Sequence, residues 1–148
     1  MMSLSHTDIL LVEDSKADVE LTLHALSKEH LANGIHVSHD GEEALEYLFS
    51  TDQNGAHRAL PLLILLDLKL PKVGGLDVLR RIKADERTRI VPVVILTSSK
   101  EERDVVEGYA LGVNSYIQKP VDFAQFRETI RQLGKYWLVT NEAPRSRT

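Results

Sequence analysis

At 148 residues, with 43% hydrophobic side chains and a mixed-sign formal charge of -4, the chain can bury the core of one domain. It lacks the basic surplus of nucleic-acid and membrane-surface binders. Cysteine is absent, which excludes a disulfide framework, and no apolar run nears the ~20 residues that cross a bilayer. The opening residues, Met1-Met2-Ser3-Leu4-Ser5-His6, lack the charged and apolar regions of a signal peptide, so a cytoplasmic location is expected.

Residues 1–7 read as a flexible leader, 8–138 as the domain, and 139–148, with Pro144 and Arg145-Ser146-Arg147, as a flexible tail. Ile9-Leu10-Leu11-Val12 predicts a buried strand running into Glu13-Asp14. Asp14 or Ser15 can cap the helix that follows, which carries Val19, Leu21, Leu23, Ala25 and Leu26 and ends near His30 or Leu31. Asn33-Gly34 supplies a turn. Ile35 to His39 alternates as an edge strand should, and a helix spans Glu42 to Phe49. Residues 50–58 read as a surface loop that is long for its place.

The central stretch is Leu62-Leu63-Ile64-Leu65-Leu66-Asp67, five aliphatic residues ending on one carboxylate. Such a run suits a strand covered on both faces, as in a parallel sheet. Pro71 and Gly74-Gly75 then break the chain, and a helix over Leu76–Lys83 follows. Val91 to Leu96 predicts another buried strand, ending at Thr97, with Pro92 tolerated near its start. A helix over Glu101–Leu111 stops at Gly112, and Ser115-Tyr116-Ile117-Gln118 forms a short last strand before Lys119-Pro120. The final helix, Asp122 to about Leu138, aligns Phe123, Phe126, Ile130, Leu133 and Trp137 on one stripe, with Trp137 past the core. Strand and helix alternate five times, and right-handed crossovers place helices on both faces of a parallel sheet. The expected fold is α/β: a flavodoxin-like, doubly wound (βα)5 sandwich with strand order 2-1-3-4-5.

In that order the ends of the apolar runs bring Glu13, Asp14, Asp67, Thr97 and Lys119 to one edge, where open α/β sheets bind ligands. Taken singly, each has an ordinary reading: helix-start acids, a turn aspartate, a strand-end cap and a solvated lysine. Together they describe a site. Neighbouring carboxylates repel, and a hard divalent cation such as Mg²⁺ relieves this with oxygen ligands. Asp67 and one of Glu13 or Asp14 could bind it directly, the other acid through water, with the Lys69 backbone carbonyl adding an oxygen. Asp67 could also accept a phosphoryl group, with Lys119 as a point charge and Thr97 as a hydrogen-bond donor.

This combination resembles the receiver domain of two-component response regulators over about residues 7–138. The resemblance implies that Glu13-Asp14 is the acidic pair, Asp67 the phosphoacceptor, Lys69 a carbonyl metal ligand and Thr97 the switch hydroxyl. It further implies that Tyr116 is the switch aromatic and that Lys119 contacts phosphate beside a cis-proline, Pro120. The long 50–60 loop, Leu66-Asp67-Leu68-Lys69-Leu70-Pro71 and Tyr136-Trp137-Leu138 are similar to stand-alone regulators that partner phytochrome kinases. The implied function is phosphoryl acceptance from a histidine kinase and a switched protein-interaction surface, without enzymatic turnover of other molecules. A phosphorelay intermediate or phosphate sink is the alternative. A homodimer is expected through the fourth helix, fifth strand and fifth helix, with Trp137, Tyr136, Leu138, Val105, Val106 and Tyr109 contributing.

Three rivals fit less well. A haloacid-dehalogenase-type phosphatase needs a second aspartate two residues after the first, where Lys69 stands. A flavodoxin-like cofactor binder needs a Ser/Thr/Gly-rich phosphate loop, where Glu13-Asp14-Ser15-Lys16-Ala17-Asp18 stands. A receiver that itself binds DNA would carry a helix-turn-helix domain, and about ten residues after the last helix leave no room for one.

Overall fold

The computed structural model describes residues 7–28 and 34–144. The expected end of the first helix near His30 or Leu31, the Asn33 half of the next turn, leader residues 1–6 and tail residues 145–148 lie outside the described residues. Strands and helices alternate: β1 (Ile9–Val12), α1 (Lys16–Lys28), β2 (Ile35–Ser38), α2 (Gly41–Phe49), β3 (Leu63–Leu66), α3 (Gly75–Ala84), β4 (Val93–Thr97), α4 (Glu102–Leu111), β5 (Ser115–Gln118) and α5 (Phe123–Gly134). The strands form one parallel sheet in the order β2-β1-β3-β4-β5, as the apolar pattern predicts.

Successive side chains of a strand point to opposite faces, and here both faces are covered. Leu10, Val12, Ile64, Leu66, Val93 and Ile95 pack with Ala44 and Leu48 of α2 and with Val78, Leu79 and Ile82 of α3. Ile9, Leu11, Leu63, Leu65, Val94 and Leu96 pack with Val19, Ala25 and Leu26 of α1 and with Phe126, Ile130 and Leu133 of α5. A strand buried on both sides has no solvent face, which is why these runs show no alternation. Each leucine so buried contributes about 1.5–3 kcal/mol.

Several local expectations are corrected. Strand β4 starts at Val93 rather than Val91, because Pro92 has no N–H for the ladder and Val93 N–H is taken by the Asn114 side chain. Phe123, expected in the core, is 70% exposed. It occupies the first position of α5, beside the loop rather than over the sheet. The α-helix ends at Gly134 and continues as a π-helical turn over Lys135–Thr140. Trp137, expected past the core, packs half-buried against the α1/α5 side of it, leaving Tyr136 and Val139 outside. The Lys119–Pro120 bond is trans rather than cis, the form that X–Pro bonds favour by about 0.5–1 kcal/mol. Thr7, assigned to the loose leader, is buried, and its hydroxyl bonds to that of Tyr47 at 2.6 Å.

The long loop after α2 is organised. Asp52 Oδ1 accepts from the backbone N–H groups of Asn54 and Ala56, and Gly55 takes a left-handed φ of 80° between them. Arg58 Nε donates to the Tyr47 carbonyl, and Arg87 donates to the Leu48 and Arg58 carbonyls, tying the loop to the segment after α3. A cavity of about 410 Å³ lies below, between residues 59–62, 90–92 and 142–144, at the opposite end of the sheet from the strand-end acids.

Helix α3 sits directly behind the end of β3. Gly75 N–H donates to the Leu68 carbonyl at 2.9 Å. A methyl group on Gly75 would overlap the Asp67 carbonyl oxygen and lie 2.5 Å from Leu68 Cα, both backbone atoms that cannot swing away. Gly75→Ala is therefore expected to destabilise the protein by about 1–3 kcal/mol. The measurement is urea unfolding, where an unchanged midpoint would refute the close packing.

Candidate functional site

The sheet itself lays out the site. Hydrogen bonding continues past the strands: Glu13 N–H donates to the Ser38 carbonyl, Asp67 N–H to the Val12 carbonyl, and Lys119 N–H to the Thr97 carbonyl at 2.7 Å. These bonds fix the first residues after β1, β3 and β5 in line with the end of β4. Glu13, Asp67 and Thr97 are buried, whereas Asp14 is exposed at the rim. Carboxylate oxygens of Glu13, Asp14 and Asp67 all lie within 4.8 Å of one another. Ser15, not Asp14, caps α1, its hydroxyl accepting from Asp18 N–H at 3.3 Å.

Lys119 is the counter-charge. Its ammonium donates to Asp18 Oδ2 at 2.7 Å and Asp67 Oδ2 at 3.1 Å, and forms an ion pair with Glu13 Oε1 at 2.8 Å. Three carboxylates thus surround one ammonium. Burial alone would lower the pKa of Lys119, but Asp18, Glu13 and Asp67 outweigh it and hold the group charged well above its ordinary range. Glu13 behaves in the opposite sense for an acid. Burial, reinforced by the Asp67 charge, pushes its carboxyl up to about 7 against the lowering by Lys119 and the Ser15 N–H. One ammonium does not satisfy this many carboxylates. Two like charges about 4–5 Å apart repel by about 3–4 kcal/mol at an effective dielectric near 20. The close, all-oxygen donor set and the displaced titration of Glu13 fit a divalent cation held by carboxylates.

On the other side of Asp67 the Thr97 hydroxyl accepts from Ser99 N–H at 3.3 Å. Ser99 Oγ donates to Asp104 Oδ2 of α4 at 2.6 Å, and the Tyr116 hydroxyl donates to the Ser99 carbonyl at 3.1 Å. Tyr116 is half-buried, and that burial pushes its phenol pKa up. Lys69 exposes its side chain, and its N–H reaches Asp67 Oδ1 at 3.4 Å.

The structure thus brings Glu13, Asp14, Asp67 and Lys119 into direct proximity and links Thr97 and Tyr116 through Ser99. Sequence reasoning missed Asp18, together with the Ser99–Asp104 bond. An acid three residues after the capping Ser15 was the available signal for Asp18, but acids in a first helical turn are common for dipole reasons alone.

Comparison with known proteins gives the same picture. The response regulator receiver domain family matches residues 9–131. The chain is 42% identical over 136 residues to the probable methanogenesis regulatory protein FilR2 of Methanothrix harundinacea, covering 92% of this chain and 86% of that one. It is 38% identical over 138 residues to response regulator Rcp1 of Synechocystis, covering 92% of each. The phosphorylated cyanobacterial phytochrome response regulator RcpA superimposes with a TM-score of 0.86 at 39% identity, over 95% of this chain and all of that one. The Mn²⁺-bound form of Rcp1 gives 0.85 at 36% identity, over 95% of this chain and all of that one. The bacteriophytochrome response regulator RtBRR gives 0.71 at 51% identity, over 95% and 85% of the two chains. With a family match across most of its length and relatives that align with it nearly end to end, the protein belongs to the response regulator receiver family.

Proposed function

We propose that the protein is a stand-alone two-component response regulator, cytoplasmic and without turnover of external substrates, that takes a phosphoryl group from a histidine kinase onto Asp67. The observation that carries this reading is the placement of Asp67 between one ammonium and two further acids at the carboxyl edge of the sheet. Among the described residues no helix is long and apolar enough to cross a membrane. The near end-to-end alignment with Rcp1 supports the stand-alone assignment. The likeness to RcpA, a phytochrome response regulator, and to RtBRR, a bacteriophytochrome response regulator, supports a phytochrome as the upstream kinase.

In this reading an Asp67 carboxylate oxygen attacks the phosphorus of a phosphohistidine. The new O–P bond forms as the P–N bond breaks, and the imidazole leaves with the electron pair and takes up a proton. Lys119, already against Asp67 Oδ2, neutralises charge on the transferred group. Glu13, Asp14, Asp67 and the Lys69 backbone carbonyl would hold Mg²⁺, one acid through water. Bound there, a divalent cation offsets the negative charge shared by acid and phosphate. Thr97 would turn its hydroxyl to a phosphoryl oxygen and give up Ser99 N–H. Tyr116, which now holds the Ser99 carbonyl, would follow that loop. A differential of about 3 kcal/mol between the two arrangements changes their ratio on the order of a hundredfold.

The output surface is assigned to α4, β5 and α5, as a homodimer contact. Val106 and Tyr109 on α4 and Tyr136 and Val139 after α5 are large, apolar and exposed, which supports it.

Asp67→Asn keeps the shape of the side chain and removes the attacking carboxylate, so phosphotransfer from a phytochrome-class histidine kinase is expected to vanish. Retained label on the variant would overturn the acceptor assignment. Sedimentation at micromolar concentration is expected to give a dimer whose population rises with a phosphoryl mimic, and a monomer in both states would remove the dimer face. Proton binding by Glu13 opposes cation binding. Relative to its ordinary 4.5, a carboxyl at about 7 lends the fold stability below pH 4.5 and loses it as pH rises toward 7. Above that range the acid is ionised and open to a cation. Mn²⁺ affinity is therefore expected to fall roughly tenfold from pH 8 to pH 6, with buffer-dependent heat from released protons. A flat calorimetric profile would contradict it.

A further inference from the structure

Three acids share Lys119, but they are not equivalent. Glu13 and Asp67 belong to the trio whose oxygens converge on the proposed cation site, and Asp18 does not. Glu13 and Asp67 follow β1 and β3 at the carboxyl end of the sheet, whereas Asp18 stands on the first turn of α1. Its carboxylate makes the shortest of the three contacts, 2.7 Å, and is the most exposed of them at 26%.

A cation at Glu13 and Asp67 competes with the ammonium for the charge of the same two carboxylates. Lys119 would then have its hold on two of its three partners weakened while its own side chain stays 11% exposed. An ammonium left unpaired in such a place is costly, so without another acceptor it would hold on to Glu13 and Asp67 and oppose the cation. Asp18 removes this conflict, because its bond to Lys119 uses no oxygen that the cation needs.

We propose that Asp18 is a positioning residue that receives the Lys119 ammonium when a divalent cation takes up Glu13 and Asp67. Asp18 thereby favours cation entry without touching the cation and keeps the ammonium beside Asp67 once the cation is in place. The assignment rests on the metal-site reading above and adds a residue that the reading does not contain.

The test is calorimetric titration of the full chain with Mn²⁺ alone, without phosphodonor. Asp18→Asn is expected to weaken binding roughly threefold to tenfold, the scale of a part-exposed charge pair. Glu20→Gln removes an equal charge from the exposed side of the same helix and is expected to have a much smaller effect. The discriminating comparison is made in a Lys119→Gln background. There the cation is expected to bind more tightly than in the wild type, and Asp18→Asn is expected to change affinity no more than Glu20→Gln does. If Asp18→Asn weakens binding equally with and without Lys119, the carboxylate acts on the cation directly and the proposal is overturned. Wild-type binding that Asp18→Asn leaves unchanged overturns it while the metal site stands. Absence of Mn²⁺ binding by the wild type overturns both.

Discussion

The structure turns on a charge imbalance that the sheet enforces. Glu13 and Asp67 leave the ends of adjacent parallel strands, held there by backbone bonds to Ser38 and Val12, and Asp14 stands next to them at the rim. That backbone bonding holds Glu13 and Asp67 side by side, with their carboxylates in reach of one another. One ammonium is spread across Glu13, Asp18 and Asp67, leaving negative charge in excess. The same constraint that costs stability creates an appetite for positive charge, and a divalent cation or a modified Asp67 changes the balance at once. The burial of Glu13 and the charge of Lys119 are two expressions of this arrangement.

Around that centre the bonding is asymmetric in kind. On the α1 side the contacts are ionic and converge on one flexible lysine stem. On the α4 side they are neutral or singly charged hydrogen bonds in series: Thr97 to Ser99, Ser99 to Asp104, and Tyr116 to the Ser99 carbonyl. A change at Asp67 therefore reaches α1 as a redistribution of charge and α4 as a rearrangement of a loop. The backbone bond from Lys119 N–H to the Thr97 carbonyl joins the two sides, so neither moves without reference to the other.

Much of this was legible in the sequence because parallel strands covered on both faces must be apolar throughout, and a polar group ending such a run is conspicuous. Ile9–Val12, Leu63–Leu66 and Val93–Leu96 announce the sheet order, and Glu13, Asp67 and Thr97 announce the site. Asp18 was not legible, since an acid in a first helical turn looks the same whether it answers a helix dipole or a lysine 101 residues away. Phe123 was misplaced because helical spacing marks a stripe but not where the covering sheet ends. The course of the chain after Gly134 was hidden for a similar reason: no glycine or proline lies within Lys135–Thr140 to signal a π-helical turn that draws Trp137 back against α1 and α5.

The close seating of α3 behind β3 has a mechanical corollary. With Gly75 pressed onto the backbone of Asp67 and Leu68, Asp67 has its back to a closely packed helix. Beside it, the connection from Thr97 at the end of β4 to Asp104 on α4 is tied by hydroxyl bonds that can exchange partners. Under the proposed phosphorylation, bulk added at Asp67 would meet a closely packed backbone at α3 and exchangeable side-chain bonds at Ser99, which favours displacement toward α4. Which neighbour is built from glycine and which from hydroxyl groups would then set the direction of that response.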